Sequence, residues 1–167
     1  MKFREIHLPS VDSTIGYAQA HKGDFDPDCL TLISADEQTA GKGTQGRSFY
    51  SPKGGLYLSF CSALPKGFSE PQFAAQILAL ATLEAVAALG LKPTLKWPND
   101  LLLGGKKAAG FLALISDEEG HLLLINSVGL NVNSEEIMVD QPTTTLKAEI
   151  GSPLDCEKLK NDICTRY

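Results

Sequence analysis

The strongest candidate for chemistry in this sequence is the glycine-rich segment at residues 41–47, GKGTQGR. No acidic residue lies between Glu37 and residue 60, whereas Lys42, Arg47 and Lys53 bring positive charge to that stretch. Glycines let backbone N–H groups approach a ligand closely, and N–H groups with nearby cations bind anions. We therefore expect an anionic ligand, most simply a phosphate. A flexible surface hairpin with incidental charges is the alternative.

The spacing of Gly41, Gly43 and Gly46 is G-x-G-x-x-G, but it fits none of the three known phosphate-binding loops that share its elements. The dinucleotide-binding loop requires a helix directly after it, and here a strand-like sequence with Pro52 follows. The Walker loop requires Gly-Lys-Ser/Thr, and Lys42 is followed by glycine. A protein kinase needs catalytic-loop and metal-binding motifs that this sequence lacks.

A second basic segment, residues 91–115, contains the pentapeptide K-W-P-N-D. Pro98 restricts Trp97 to an extended or turn conformation. Asn99 and Asp100 are then expected at a strand edge, where an amide and a carboxylate suit Mg²⁺ or ribose hydroxyls. An Asn-Asp turn with a structural tryptophan is the alternative. The basic residues of this segment are Lys92, Lys96, Lys106 and Lys107, of which the last precedes a run of small residues.

The overall composition describes an ordinary single globular domain of 167 residues, of which 43% are hydrophobic. The net charge of −5 provides no global attraction to nucleic acid or to an anionic membrane, and we expect neither as a partner. The four cysteines form no C-x-x-C pair and the three histidines are scattered, which indicates a reducing compartment and no zinc site. No apolar run approaches the roughly 20 residues of a membrane span, so we expect a cytoplasmic protein.

Hydrophobic patterning predicts strands and helices in irregular order, which indicates a mixed α/β layer architecture. The predicted strands are Phe3–Leu8, Cys29–Ala35, Leu56–Ala63, Thr94–Leu103 with an interruption at Pro98, Lys107–Ile115 and His121–Val132. The predicted helices are a short one capped by Asp12 or Ser13, a long one from Pro71 to Gly90, and a terminal one at Leu154–Arg166. The remaining predictions are a hairpin around the glycine-rich segment, a turn at Asp117–Gly120 and a polar loop at Asn133–Thr145.

Four segments together resemble the biotin protein ligase family in order and spacing. They are VDST (11–14), EQTAGKGTQGR (37–47), KWPNDLLLGGKKAAGFL (96–112) and VGLNVN (128–133). The resemblance implies an α+β fold, a mixed β-sheet flanked by helices, which lipoate ligases share and which is related to class II aminoacyl-tRNA synthetases. It also implies a two-step reaction, in which biotin and MgATP give biotinyl-5′-adenylate, and the biotinyl group then passes to a lysine of a biotin carboxyl carrier protein.

The resemblance further implies roles for individual residues. Lys107, Arg47 and Lys42 would be the catalytic cations, and Asp100 would contact Mg²⁺. Biotin would be bound by Ser13, Thr14, Gln38, Gly41, Lys42, Lys107, Gly110 and Leu112. ATP would be bound by Gly43, Arg47, Lys96, Asn99, Asp100, Lys107, Gly129 and Asn131.

The sequence departs from the family pattern at two positions. Thr44 stands where many relatives carry arginine, and Ile15 stands where the family often has asparagine; both concern ligand affinity. We expect residues 1–167 to form one catalytic domain without an N-terminal DNA-binding domain, and with the SH3-like C-terminal domain absent or truncated. An exposed sheet edge would allow a homodimer. The alternatives are a lipoate or octanoate ligase or transferase of the same fold, and a non-catalytic binder of biotin or of carrier domains.

Overall fold

The structure is a computed structural model that describes residues 2–68, 73–135 and 139–167. Its strands are β1 (Lys2–Leu8), β2 (Cys29–Ala35), β3 (Leu56–Pro65), β4 (Pro93–Lys96), β5 (Asp100–Leu103), β6 (Lys106–Glu118) and β7 (His121–Leu130). Its α-helices are α1 (Thr14–Ala20), α2 (Ala74–Ala87), α3 (Leu146–Ile150) and α4 (Cys156–Arg166). No helix among these described residues is long and apolar enough to cross a membrane.

The strands form one seven-stranded sheet in the order β1-β2-β3-β7-β6-β5-β4. Strands β1 and β2 pair in parallel because helix α1 makes the crossover between them, whereas every other neighbouring pair is antiparallel. Strands β2 and β3 flank the glycine-rich segment as the predicted hairpin. The mixed sheet flanked by helices confirms the predicted fold class.

Helices cover both faces of the sheet, so the central strands are buried on both sides. Side chains alternate between the faces along a strand. Leu32 and Phe60 therefore pack in the core that contains α2 and α4, while their neighbours Ile33 and Cys61 pack in the core that contains α1. Burial raises the pKa of the Cys61 thiol to about 12, which keeps it a neutral apolar side chain. This second core borders the site described below.

The largest difference from the sequence prediction concerns Thr94–Leu103, which is two strands rather than one interrupted strand. Strands β4 and β5 form an antiparallel hairpin in which Lys96 pairs with Asp100 around the turn at residues 97–99. Proline lacks the N–H that a central ladder position requires, so the chain reverses at Pro98. The hairpin presents Asn99 and Asp100 at the start of β5.

Other differences lie at the ends of elements. Helix α3 was not predicted; the Thr145 hydroxyl caps it by accepting from the Ala148 N–H, and Gly151, with φ +88°, ends it. Strand β6 extends to Glu118, which reduces the predicted turn to residues 119–120. The described parts of the predicted polar loop before Thr145 contain no helix or strand. The predicted helix start at Pro71 lies outside the described residues.

Candidate active site

A cavity of about 90 Å³ lies where α1, the glycine-rich segment, β6, β7 and residues 139–143 meet. Twelve of the predicted site residues line it: Ser13, Thr14, Gln38, Lys42, Gly43, Arg47, Asn99, Lys107, Gly110, Leu112, Gly129 and Asn131. Three predicted residues, Gly41, Lys96 and Asp100, lie outside its lining. The four sequence segments thus converge on one place, although they are distant along the chain.

The start of helix α1 forms one wall of the cavity. Ser13, one of the two residues predicted to cap this helix, is the N-cap, and its hydroxyl accepts from the Gly16 N–H at 3.4 Å. Asp12 accepts from the Ser13 N–H at 2.6 Å and fixes the entry into the helix. Lys42 approaches the same turn, because a Cβ added at Gly16 would lie 3.4 Å from its Nζ. The ammonium group of Lys42 therefore lies beside the first turn of α1.

Gln38 ties both ends of the glycine-rich segment to helix α1. Its Oε1 accepts from the Thr14 N–H at 2.8 Å and from the Thr14 hydroxyl at 3.2 Å. Its Nε2 donates to the Ser51 hydroxyl at 2.8 Å, on the returning arm of the segment. One side chain thus holds three parts of the wall in register.

Between these arms the glycine-rich segment folds back on itself. The Phe49 N–H donates to the Gly41 carbonyl at 2.8 Å, and the Gly43 N–H donates to the Arg47 carbonyl at 2.7 Å. A Cβ at Gly41 would lie only 2.3 Å from the Phe49 carbonyl oxygen, so this position requires glycine for close packing. Gly41 therefore shapes the segment from behind the cavity wall.

Arg47 and Asn99 converge on Thr44. Arg47 donates to the Thr44 hydroxyl at 3.2 Å through Nη2, and Asn99 donates to the same hydroxyl at 3.4 Å through Nδ2. Asn99 also donates to the Phe111 carbonyl at 3.1 Å, which anchors it to β6. The glycine-rich segment is thereby attached to the β4–β5 hairpin across the mouth of the cavity.

Lys107 is paired with Asp100 at 2.8 Å, and the two side chains are only 17% and 19% exposed. The backbone of Lys107 donates to the Pro142 carbonyl and accepts from the Thr144 N–H. The side chain of Lys107 is thus held by an ion pair and its main chain by a neighbouring segment, with its ammonium group at the cavity. Lys96, by contrast, is exposed on the edge strand β4 and is not brought to the site.

Asp100 does not belong to a cluster of metal-binding side chains. Within residues 2–68, 73–135 and 139–167, no three His, Cys, Asp or Glu side chains lie together as a metal site would require. A single carboxylate still suits Mg²⁺ that arrives with a nucleotide, because Mg²⁺ uses one or two carboxylates together with phosphate oxygens and water. The Asp100 carboxylate therefore suits a Mg²⁺ ion that arrives bound to a nucleotide.

Phe49, which the sequence analysis missed, packs against two glycines in the cavity. Gly110 and Gly129 are cross-strand partners in β6 and β7, and Cβ atoms added to them would lie 3.2 Å and 2.5 Å from the Phe49 ring. The Lys107 Nζ lies 5.7 Å from the centre of the same ring. Because the two glycines have no side chains, they leave a flat area on the sheet, and the Phe49 ring packs on it.

Ser127, Gln141 and Thr143 also line the cavity and were not predicted as site residues. Ser127 and its cross-strand partner Ser59 are polar residues within largely apolar strands, and that contrast was the available signal. Asn131 donates to the Thr144 carbonyl at 3.3 Å, and its buried Oδ1 has no partner among the described residues. Asn131 lines the cavity, and this oxygen itself is buried from solvent.

The comparisons with known proteins agree with this geometry. The model of the Biotin/lipoate A/B protein ligase family matches residues 8–133. The Bifunctional ligase/repressor BirA of Escherichia coli (strain K12) is 33% identical over 154 residues, which cover 89% of this chain and 47% of that protein. The Biotin--[acetyl-CoA-carboxylase] ligase of Paracoccus denitrificans is 38% identical over 110 residues, which cover 60% of this chain and 43% of that protein.

A solved structure gives the same result at the level of the fold. The biotin protein ligase from Aquifex aeolicus in complex with biotin and ATP superposes with a TM-score of 0.78 and 30% identity, covering 98% of this chain and 68% of that one. The chain spans about half the length, or less, of the curated relatives it matches. Because the family model matches residues 8–133, the chain belongs to the biotin/lipoate A/B protein ligase family.

Proposed function

We propose that this protein activates biotin with ATP to biotinyl-5′-adenylate and transfers the biotinyl group to a lysine of a carrier protein. The observation that carries the proposal is Lys107, an ammonium group held by Asp100 at 2.8 Å beside a cavity that also contains Lys42 and Arg47. The solved relative from Aquifex aeolicus, which binds biotin and ATP, supports the choice of both substrates.

In the first step a carboxylate oxygen of biotin forms a bond to the α-phosphorus of ATP. The bond from that phosphorus to the bridging oxygen of the β-phosphate breaks, and pyrophosphate leaves with the electron pair. Two anions must approach each other, so fixed positive charge between them lowers the barrier. Lys107 would supply that charge, and a Mg²⁺ ion that arrives with the nucleotide and is held by Asp100 would add further positive charge. A carboxylate is already a nucleophile, so this step requires no general base.

In the second step the amine of a carrier lysine attacks the acyl carbon of the adenylate. The bond from the acyl carbon to the phosphate oxygen breaks, AMP leaves with the electron pair, and the attacking nitrogen releases one proton to solvent water. The attacking lysine belongs to the partner. The name of the Paracoccus denitrificans relative supports a carboxyl carrier protein of acetyl-CoA carboxylase as that partner.

We assign the two substrates to two halves of the cavity floor. The part near α1, with Ser13, Thr14, Gln38 and Leu112, would take the biotin ring. The glycine pair would lie under the biotinyl-adenylate, with Gly110 on the biotin side and Gly129 on the nucleotide side. The cations Lys42, Arg47 and Lys107 would surround the reacting groups. Gly43, Asn99 and Asn131 would also lie on the nucleotide side. Asp100 would contact the nucleotide-bound Mg²⁺.

Ligand entry would require the Phe49 ring to move. Ligand pockets typically enclose about 300–1,000 Å³, whereas this cavity measures about 90 Å³. The Phe49 ring fills the space above Gly110 and Gly129 in the cavity. We therefore propose that the glycine-rich segment shifts outward to admit the substrates and returns over the adenylate.

The cellular location and the assembly of the protein are further parts of the proposal. The four cysteines of the protein are free thiols, which supports action in the reducing cytoplasm. Residues 1–167 would act as one catalytic domain. The sheet ends in two edge strands, β1 and β4, either of which would allow a homodimer; light scattering at several protein concentrations tests that assembly.

Ligand-dependent exchange of labelled pyrophosphate into ATP tests the first step directly. Biotin should support exchange, whereas lipoate and octanoate should support little. Exchange with lipoate or octanoate instead of biotin would assign the protein to the other branch of its family. Binding of biotin without exchange would indicate a non-catalytic binder. Transfer is then tested by adding a purified carboxyl carrier domain and following its mass by spectrometry.

A further inference from the structure

Four side chains form a continuous hydrogen-bonded row beneath the half of the cavity near helix α1. Ser127 Oγ lies 2.7 Å from Ser59 Oγ, which lies 2.9 Å from Thr14 Oγ1, which lies 3.2 Å from Gln38 Oε1. Ser59 and Ser127 are cross-strand partners in β3 and β7. Ser59 is fully buried, while Ser127 is 8% exposed and reaches the cavity. We call this set the hydroxyl row.

The Gln38 end of the hydroxyl row has a defined polarity. The Thr14 backbone N–H lies 2.8 Å from Gln38 Oε1, and a backbone N–H only donates, so the amide oxygen must face it. At the other end of the amide, Nε2 donates to Ser51 Oγ, and the Ser51 hydroxyl donates its own proton to the Phe49 carbonyl. Both contacts require the same orientation of the Gln38 amide.

This orientation fixes the protons along the hydroxyl row. Each hydroxyl has one proton to donate and two lone pairs with which to accept. Thr14 donates its proton to Gln38 Oε1, so Ser59 must donate to Thr14. Ser59 then has no proton left for Ser127, so Ser127 must donate to Ser59. The Ser127 oxygen therefore faces the cavity with lone pairs and without a proton.

We infer that Ser127 is a specificity-determining residue that accepts a hydrogen bond from an N–H group of the bound acid. This inference rests on the proposed function, because a cyclic urea such as that of biotin carries two N–H donors. Ile15 and Leu112 line the cavity nearby, so the hydrogen bond would form in apolar surroundings. An acid with a dithiolane ring offers no N–H and would leave the Ser127 acceptor unpaired, which disfavours its binding.

The first experiment measures binding by isothermal titration calorimetry. Ser127→Ala should weaken biotin binding by roughly 10- to 100-fold, since an unpaired ligand N–H is left in an apolar site. ATP binding should stay unchanged. Ser116→Ala is the matched control, because Ser116 lies near the far end of β6 and contacts Lys22 and Glu118. Biotin affinity should be the same for Ser116→Ala and the wild type.

The second experiment uses biotin methylated on either ureido nitrogen, and its first measurement is made on the wild type alone. One of the two methylated forms should bind the wild type roughly 10- to 100-fold more weakly than biotin. Ser127→Ala should discriminate much less against that same form. Ser59→Ala should also reduce the discrimination, because Ser127 is then free to turn its proton toward the cavity. Ser59 would thus be a positioning residue, distinguished from a general structural role by this change in selectivity.

The results separate the two claims. Wild-type protein that fails to bind biotin overturns the proposed function and this inference together. Wild-type protein that binds biotin, with equal affinity in Ser127→Ala and equal discrimination among the methylated forms, overturns only the assignment of Ser127.

Discussion

The hydroxyl of Thr44 accepts a hydrogen bond from Asn99 Nδ2 at 3.4 Å, and this contact joins the glycine-rich segment to the β4–β5 hairpin. The same hydroxyl accepts from Arg47 Nη2 at 3.2 Å. A threonine therefore links two residues that the sequence assigned separately to the nucleotide.

Replacing Thr44 with valine removes this link while preserving the shape of the side chain. Each hydrogen bond contributes about 0.5–1.5 kcal/mol, and the contact with Asn99 is long, so we expect the segment to open more readily. Preformed biotinyl-adenylate should leave Thr44→Val about fivefold faster than the wild type, measured by chase with unlabelled biotin. Thr44→Ser keeps the hydroxyl and should retain the wild-type rate; equally fast release from both variants would contradict the role of the hydroxyl.

An arginine at position 44 should have the opposite effect. Its planar fork can reach phosphate or neighbouring groups of the segment, and a charge-assisted hydrogen bond contributes about 1.5–3 kcal/mol. Thr44→Arg should therefore slow adenylate release about tenfold or more while leaving pyrophosphate exchange broadly intact. Equal release from Thr44→Arg and the wild type would show that position 44 does not hold the segment closed.

Lys107 should be the principal catalytic cation. Removal of one preorganised electrostatic group typically costs roughly 10²–10³ in rate, so Lys107→Ala should lose that much biotin-dependent pyrophosphate exchange. Lys106→Ala is the matched control, because Lys106 is the exposed neighbour and does not line the cavity. Near-normal exchange in Lys107→Ala would remove Lys107 from the mechanism.

The sequence predicted most of the sheet because its central strands carry strong local signals. Cys29–Ala35 is rich in apolar and β-branched residues and has the bounds that were predicted for it. The hairpin at Pro98 was missed, since a proline interrupts a strand and reverses a chain with the same local signature. Helix α3 was missed because five residues are too few for a helical period to be visible.

The sequence predicted the site residues that belong to motifs, but it did not predict the residues that reach the site through the packing of distant segments. The convergence of the four segments follows from motif order, but the exclusion of Lys96 from the cavity depends on which side of a hairpin it occupies. Ser127 stands out as a polar residue in a largely apolar strand, but its place in the site depends on its register with Ser59, which the sequence of one strand does not give. Phe49 reaches Gly129 only because the segment folds back on itself.

The packing of Phe49 on Gly129 predicts a measurable coupling between these two residues. A Cβ at Gly129 would lie 2.5 Å from the ring, and overpacking of this kind costs about 1–3 kcal/mol. Gly129→Ala should therefore lower the free energy of unfolding in urea, and it should do so much less in a Phe49→Ala background. Gly23→Ala is the control, since a Cβ there meets nothing within 4 Å. Additive effects of Gly129→Ala and Phe49→Ala would show that the ring does not rest on this glycine.

The ion pair of Glu5 with Lys160 joins strand β1 to helix α4 and should make stability depend on pH. The Lys160 side chain is 8% exposed, and its ammonium group also contacts Glu157 at 2.9 Å. Burial alone would raise the pKa of Glu5, but hydrogen bonds from Lys160 and Ser34 bring it below its ordinary value. Burial likewise would lower the pKa of Lys160, and its hydrogen bonds to Glu5 and Glu157 raise it instead.

The sign of the acid effect follows from the lowered pKa of Glu5. A carboxyl with a lower pKa in the folded state stabilises the protein above its unfolded pKa, and this contribution is lost as the pH falls through the folded value. Glu5→Gln should thus destabilise the protein by about 1 kcal/mol at pH 7, because a neutral amide replaces the carboxylate that balances the Lys160 charge. The difference in unfolding free energy between Glu5→Gln and the wild type should shrink to near zero below the folded pKa of Glu5.

Urea unfolding at a series of pH values measures this difference. Glu84→Gln is the control, because the Glu84–Arg166 pair at 3.4 Å is largely exposed and should contribute little. A Glu5→Gln penalty that stayed constant from pH 7 into the acid range would show that the charge of Glu5 is not the stabilising feature.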